Sequence, residues 1–132
     1  MAVKVLDAYA MMMFFEDEPG ADRVRELILN AEENKVELVM SVVNLGEIWY
    51  SIARTNSNET ADQMIREIEG MAIDIVEADW PLTRLAAQLK AAGNISYADC
   101  FAAALAKSRK AELVTGDKEF KKVESEIKIS WL

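Results

Sequence analysis

The chain has 132 residues, 52% of them apolar and 29% charged, with 15 Lys and Arg against 23 Asp and Glu, a net charge of −8. These proportions describe a soluble globular protein of one domain with a single core and exclude disordered and fibrous classes. Histidine is absent, which removes imidazole-dependent triads and the usual zinc ligand, so any metal must be held by oxygen, as Mg²⁺ or Mn²⁺ are.

No apolar run approaches the ~20 residues of a membrane span, and Met1 to Leu6 leads directly into Asp7 without a signal-peptide pattern. Cys100 is the single cysteine; no intrachain disulfide can form, and a reducing, cytoplasmic setting is expected.

In chain order, Val3-Lys4-Val5-Leu6 reads as a short strand ending at Asp7. Met11 to Phe15 is too hydrophobic all round for a surface helix, so it should be buried on several sides or lie at a subunit contact. After Pro19-Gly20, the apolar positions Ala21, Val24, Leu27, Ile28 and Ala31 recur at helical spacing. Glu37 to Met40 is a second strand and Ser41 caps the next helix. On that helix Val42, Leu45, Trp49, Ile52 and Ala53 form an apolar stripe, and Asn44, Glu47, Ser51 and Arg54 a polar one. Thr55 to Asn58 is a loop, and Met64, Ile65, Ile68 and Met71 mark a further helix. Ile73 to Val76 is a third strand. Asp79 caps a helix with Pro81 in its first turn, buried through Leu82, Leu85, Ala86 and Leu89 and ended by Gly93-Asn94.

Ser96 then caps an alanine-rich helix that carries Asp99 in its first turn, beside the positive end of the helix dipole. Ala102, Ala103 and Ala106 let another segment approach closely. The helix closes in the basic run Lys107 to Lys110. Glu112 to Thr115 is a fourth strand, Gly116 a turn, Asp117 the start of a short helix with Phe120, and Ile127 to Ile129 a last strand. Strands separated by helices predict one domain over residues 1–132, a short, mostly parallel central sheet flanked by helices on both faces.

Ligands of an open parallel sheet bind outside the carboxyl ends of its strands. Asp7 and Asp117 follow the first and fourth strands, and Glu47 and Asp99 lie on early turns of helices that begin near the same edge. Each has a plain alternative. Asp7 and Asp117 can be N-caps, each worth about 1 kcal/mol, Ser96 and Asp99 a capping box, and Glu47 the wet side of its helix. Against this, Glu47 sits in the apolar segment Leu45 to Tyr50, and four clustered carboxylates repel unless cations neutralise them.

Four segments carry a resemblance: Val5-Leu6-Asp7-Ala8-Tyr9-Ala10, Asn44-Leu45-Gly46-Glu47-Ile48-Trp49-Tyr50, Ser96 to Ala106, and Leu113-Val114-Thr115-Gly116-Asp117-Lys118-Glu119-Phe120. Together the chain resembles the PIN-domain family, and within it the toxin ribonucleases of VapC type from toxin–antitoxin modules. The resemblance implies metal-dependent hydrolysis of RNA phosphodiesters, with Asp7, Asp99 and Asp117 holding Mg²⁺ or Mn²⁺ and Glu47 completing the shell or orienting the attacking water. It also implies a cognate antitoxin. Many relatives carry serine or threonine just after the first aspartate, where Ala8 and Tyr9 stand here. Thr115 and Asn44 are candidate supporting residues behind the acids, and Lys118, Lys121 and Lys122 candidate phosphate contacts. Lys107, Arg109 and Lys110 complement a helix dipole instead. The Met11 to Phe15 run, with Trp49 and Tyr50 expected to be exposed, predicts a homodimer.

Rival readings are a PIN nuclease of RNA maturation or structured DNA, a non-catalytic interaction domain whose acids are caps, and a phosphoacceptor domain. The last wants two adjacent acids after an early strand, and those are missing.

Overall fold

A computed structural model describes residues 1–132. Five short strands, β1 (Val3–Leu6), β2 (Glu37–Ser41), β3 (Ile73–Val76), β4 (Glu112–Thr115) and β5 (Lys128–Trp131), pair in the order β3-β2-β1-β4-β5, and every pairing is parallel. The expected parallel α/β sheet is therefore present, with β1 at its centre. In the register Leu6 stands opposite Val114 and Val5 opposite Val39.

Alternation along the strands divides the core in two, because successive side chains leave opposite faces. Val5, Val39 and Leu113 face one side, under α5 (Trp80–Ala92) and α6 (Tyr97–Arg109). Leu6, Leu38, Met40 and Val114 face the other, under α1 (Ala8–Phe15), α2 (Ala21–Glu32), α3 (Val42–Thr55) and α4 (Asn58–Glu69). Helices thus cover both faces, as parallel sheets require.

The strongest sequence signal becomes the most buried helix. Seven consecutive residues of α6, Cys100 to Ala106, are buried. Its alanines admit β1, β2, β4, α3 and α5 at close range, and Ser96 accepts the Asp99 amide at 3.2 Å as N-cap. The return bond from the Ser96 amide, which would complete a capping box, is not formed.

Three expectations are corrected. The buried face of α3 is centred on Asn44, Ile48 and Ile52, with the expected Leu45, Trp49 and Ala53 half-buried against the core beside it, because α3 packs against α1, α4, α6 and the sheet at once. Trp49 is not exposed; it is half-buried against the core and donates its indole N–H to Asp62 at 2.8 Å, leaving Tyr50 as the exposed aromatic. The last strand starts one residue later than expected and runs on to Trp131, because its register with β4 pairs Thr115 with Trp131 and buries Ser130. In α1, Met11 is fully buried and Met12 to Phe15 are half-buried. No helix is long and apolar enough to cross a membrane.

Candidate active site

β1 is where the chain reverses its progress across the sheet: β2 and β3 are added on one side, β4 and β5 on the other. The carboxyl ends of β1 and β4 therefore flank the crevice in which such sheets bind ligands. Asp7 leaves β1 and Asp117 follows β4.

Asp7 is 2% exposed. As N-cap of α1 its Oδ1 accepts the Ala10 amide at 2.8 Å, and its Oδ2 accepts the Thr115 hydroxyl at 2.6 Å. The Thr115 oxygen in turn accepts the Asp117 amide at 3.0 Å. One buried hydroxyl therefore fixes the first acid and the backbone of the last, and the Asp117 amide orients its proton toward Asp7. Asp117 then caps the 3₁₀ segment Lys118–Val123 by accepting the Glu119 amide at 3.0 Å.

Glu47 and Asp99 come from α3 and α6, and Asn44 joins them. Its side chain is fully buried; Nδ2 donates to Glu47 Oε1 at 3.3 Å and to the Ala98 carbonyl, just before Asp99, at 3.1 Å. Asn44 Oδ1 is the one buried side-chain polar atom without a partner.

The acids sense one another. Burial pushes the Asp7 carboxyl up to about 7, against the hydrogen bonds from Thr115 and Ala10 and with help from the charges of Asp99 and Asp117. Asp99 rises to about 6, first through burial and then through Asp117 and Glu47. Burial also raises Glu47, partly opposed by Asn44 and reinforced by Asp117. The charges that act most strongly on these three groups are all negative.

The donor set is all oxygen with uncompensated negative charge, which suits a hard divalent cation. As placed, no three of the acids stand close enough together to chelate one ion. Asp99 and Asp117 are half-buried at element starts, so unlike Asp7 they keep contact with solvent.

Residues 4–126 match the PIN domain. The chain belongs to the PIN domain family. The expected family assignment is thereby borne out. No curated protein is significantly similar to it in sequence. Among solved structures, the chain is similar in fold to VapBC2 from Rickettsia felis bound to a DNA fragment from the complex's promoter (TM-score 0.78, 18% identity, 98% of each chain covered). It is also similar to DNA-bound VapBC from Salmonella typhimurium (0.77, 19%, 98% of each chain). A third is VapC20 of Mycobacterium tuberculosis, a sarcin–ricin loop cleaving toxin (0.67, 14%, 91% of this chain and 93% of that one).

This PIN domain brings Asp7, Glu47, Asp99 and Asp117 into one electrostatic group, with Thr115 and Asn44 behind them. Sequence reasoning missed Glu119, whose charge also raises Asp99; its place two residues after Asp117 was the available signal. The lysines separate. Lys118 and Lys121 are exposed and make no side-chain hydrogen bond or ion pair. Lys122 holds the Asn94 carbonyl at 3.1 Å and Glu119 at 2.7 Å. With Lys90 on the Ile95 carbonyl at 2.8 Å, it pins the turn that launches α6 and thereby places Asp99.

Proposed function

We propose that this PIN domain is a metal-dependent endoribonuclease, the toxin of a toxin–antitoxin pair, cutting RNA phosphodiesters at the acidic edge of its sheet. The observation that carries this reading is the group of four carboxylates from β1, α3, α6 and the β4 turn. Burial and mutual repulsion raise three of them, and no lysine or arginine is among the leading influences on them. Likeness in fold to toxin–antitoxin complexes supports the toxin assignment.

Asp7, Asp99 and Asp117 would hold one or two Mg²⁺ or Mn²⁺ ions, which when bound supply positive charge to the phosphate and lower the pKa of water. Asp7 is the immobile member, since both its oxygens are fixed by hydrogen bonds from Ala10 and Thr115. Glu47 is anchored through Oε1 by Asn44 while Oε2 makes no bond within the protein, so it can accept from and orient the attacking water. Lys118 and Lys121 are free to meet phosphates; Lys122 contributes by placing α6. A cognate antitoxin that neutralises the site would present a basic residue to the acids, and the half-buried Phe14 and Phe15 of α1 support a homodimer.

The reading of the acids as caps alone has one observation in its favour: Asp7 and Asp117 do cap helical segments. A cap gains nothing from burial that drives its pKa to about 7, so capping does not account for Asp7. Incubation of the purified chain with mixed RNA in Mg²⁺, Mn²⁺ or EDTA tests the proposal. Cleavage should require the ion and vanish in Asp7→Asn and Asp99→Asn; cleavage in excess EDTA, or undiminished in either variant, overturns it.

A further inference from the structure

The chain has three tyrosines, and all three are exposed: Tyr9 46%, Tyr50 44% and Tyr97 45%. Each lies within three residues of an acid of the site, and Tyr9 is fixed most closely to it. It stands two residues after Asp7, in the first turn of α1. Its ring rests on Gly116, between Thr115 and Asp117. A Cβ at Gly116 would come within 2.7 Å of Tyr9 Cε1 and 3.0 Å of Met13 Cε, so glycine is what allows the ring to sit on the turn that carries Asp117.

From there Tyr9, Met12 and Met13 follow one face of α1 at helical spacing, and Glu16, its C-cap, continues the row. With Glu18 they line an open hollow of about 160 Å³. Its floor is an aromatic ring and two thioethers, and its only charges are two carboxylates. A phosphate is repelled there. A flat apolar group with hydrogen-bond donors on its edge is accepted, because an ionised carboxylate only accepts. The part of a nucleotide with that chemistry is its base.

Resting on the nuclease reading, we propose that this hollow is a nucleobase subsite: a base flanking the cut phosphodiester stacks on Tyr9 over Met12 and Met13 and donates its amino hydrogens to Glu16 or Glu18. Carboxylates accept from the cytosine amino group in this way, and the amino groups of adenine and guanine offer the same donor, whereas uracil carries no amino group and offers only its single ring N–H, set between two carbonyls that a carboxylate repels. The substrate is then single-stranded at this position, since a paired, stacked base cannot be splayed onto an aromatic ring.

The test measures binding of short labelled oligo(C), oligo(A) and oligo(U) ribonucleotides by fluorescence anisotropy, in the Asp99→Asn background with Mg²⁺. The amino-bearing oligomers should bind more tightly than oligo(U). Tyr9→Ala should weaken them roughly 5- to 150-fold, the loss carried by one base–aromatic stack, while Tyr9→Phe keeps the affinity. One abasic nucleotide in the oligomer should cost the same factor, and with it Tyr9→Ala should cost nothing further. The double variant Glu16→Gln, Glu18→Gln should narrow the preference over oligo(U). Thermal unfolding of Tyr9→Ala and Tyr9→Phe checks that the fold is kept.

Equal affinity in Tyr9→Ala and its parent, multiplicative losses from the substitution and the abasic site, or no binding by any oligomer overturns the subsite. Equal affinity would also leave the hollow to the apolar anchor of a protein partner. A parallel cleavage assay on the unsubstituted chain separates the two proposals. Tyr9-dependent binding without cleavage would overturn the nuclease and keep the subsite, and cleavage indifferent to Tyr9 would do the reverse.

Discussion

Thr115 shows how much of the site depends on one hydroxyl. It donates to Asp7 and accepts from the Asp117 amide, and it is fully buried. Thr115→Val keeps the shape and leaves both partners unsatisfied, at a cost of about 1–3 kcal/mol for each buried polar group stranded. It also removes the strongest hydrogen bond that lowers the Asp7 pKa, so the acid limb of the pH–rate profile should move to higher pH. An unmoved limb in Thr115→Val would show that Asp7 ionisation does not limit the rate. Asp7 itself makes a stability prediction. Its carboxyl titrates near 7 when folded against an ordinary value of 3.8, so between those values the folded chain holds a proton that the unfolded chain releases. Stability is full below about pH 4 and falls as pH rises toward 7, by about 4 kcal/mol if the whole shift is expressed. Asp99, raised to about 6, acts in the same direction. Urea unfolding in EDTA should show the wild type weaker at pH 8 than at pH 5, and Asp7→Asn should flatten that slope.

At the level of elements, α6 holds the site together. Its buried face is alanine from Ala102 to Ala104 and again at Ala106, so its distance from β1, and that of Asp99 from Asp7, is set by methyl groups. Ala103→Leu has no space to fill and should cost about 1–3 kcal/mol. By displacing α6 it should also lower cleavage without touching an acid. Chemical unfolding and cleavage assays on the same sample measure both, and a well-folded, fully active variant would show that α6 tolerates displacement. Ser96→Ala, by contrast, displaces nothing: it removes the cap bond, at a cost of about 1 kcal/mol, and the hydroxyl that holds the Asp99 pKa down.

For the whole molecule, a cation that binds the acids must displace their protons, so its effect grows with pH. Millimolar Mn²⁺ should raise wild-type stability by about 2.7 kcal/mol when free metal is a hundredfold above its dissociation constant, more at pH 8 than at pH 5.5. Asp99→Ala should lose most of that gain, and in EDTA should be destabilised little because repulsion is relieved. An equal loss with and without Mn²⁺, measured by thermal unfolding, would leave Asp99 as a first-turn acid only. Phe14 and Phe15, half-buried on α1 and outside the hollow, yield a further expectation: sedimentation should show a dimer at micromolar concentration, dissociated by a charged substitution at Phe14.

The sequence by itself determined the elements and the order of the acids. Ser41, Ser96 and Asp117 have the chemistry of N-caps, and period-two and helical patterns are local signals, so strands, helices and the carboxylates that follow them could be read without knowing what they touch. Only the tertiary structure decided which side of α3 is inside, because a helix enclosed by α1, α4, α6 and the sheet has no single apolar stripe; Asn44 therefore looked like surface and is buried. It also decided that Thr115 reaches Asp7 across 108 residues of chain, that Lys122 pins the start of α6, that Glu119 adds to the field on Asp99 and that Trp49 turns inward. Each of these is a contact between segments far apart in sequence. Spacing along a chain fixes what shares a helix face or a strand, and only the packing of the sheet against its helices brings separate carboxylates into one field and removes the water that would have screened them.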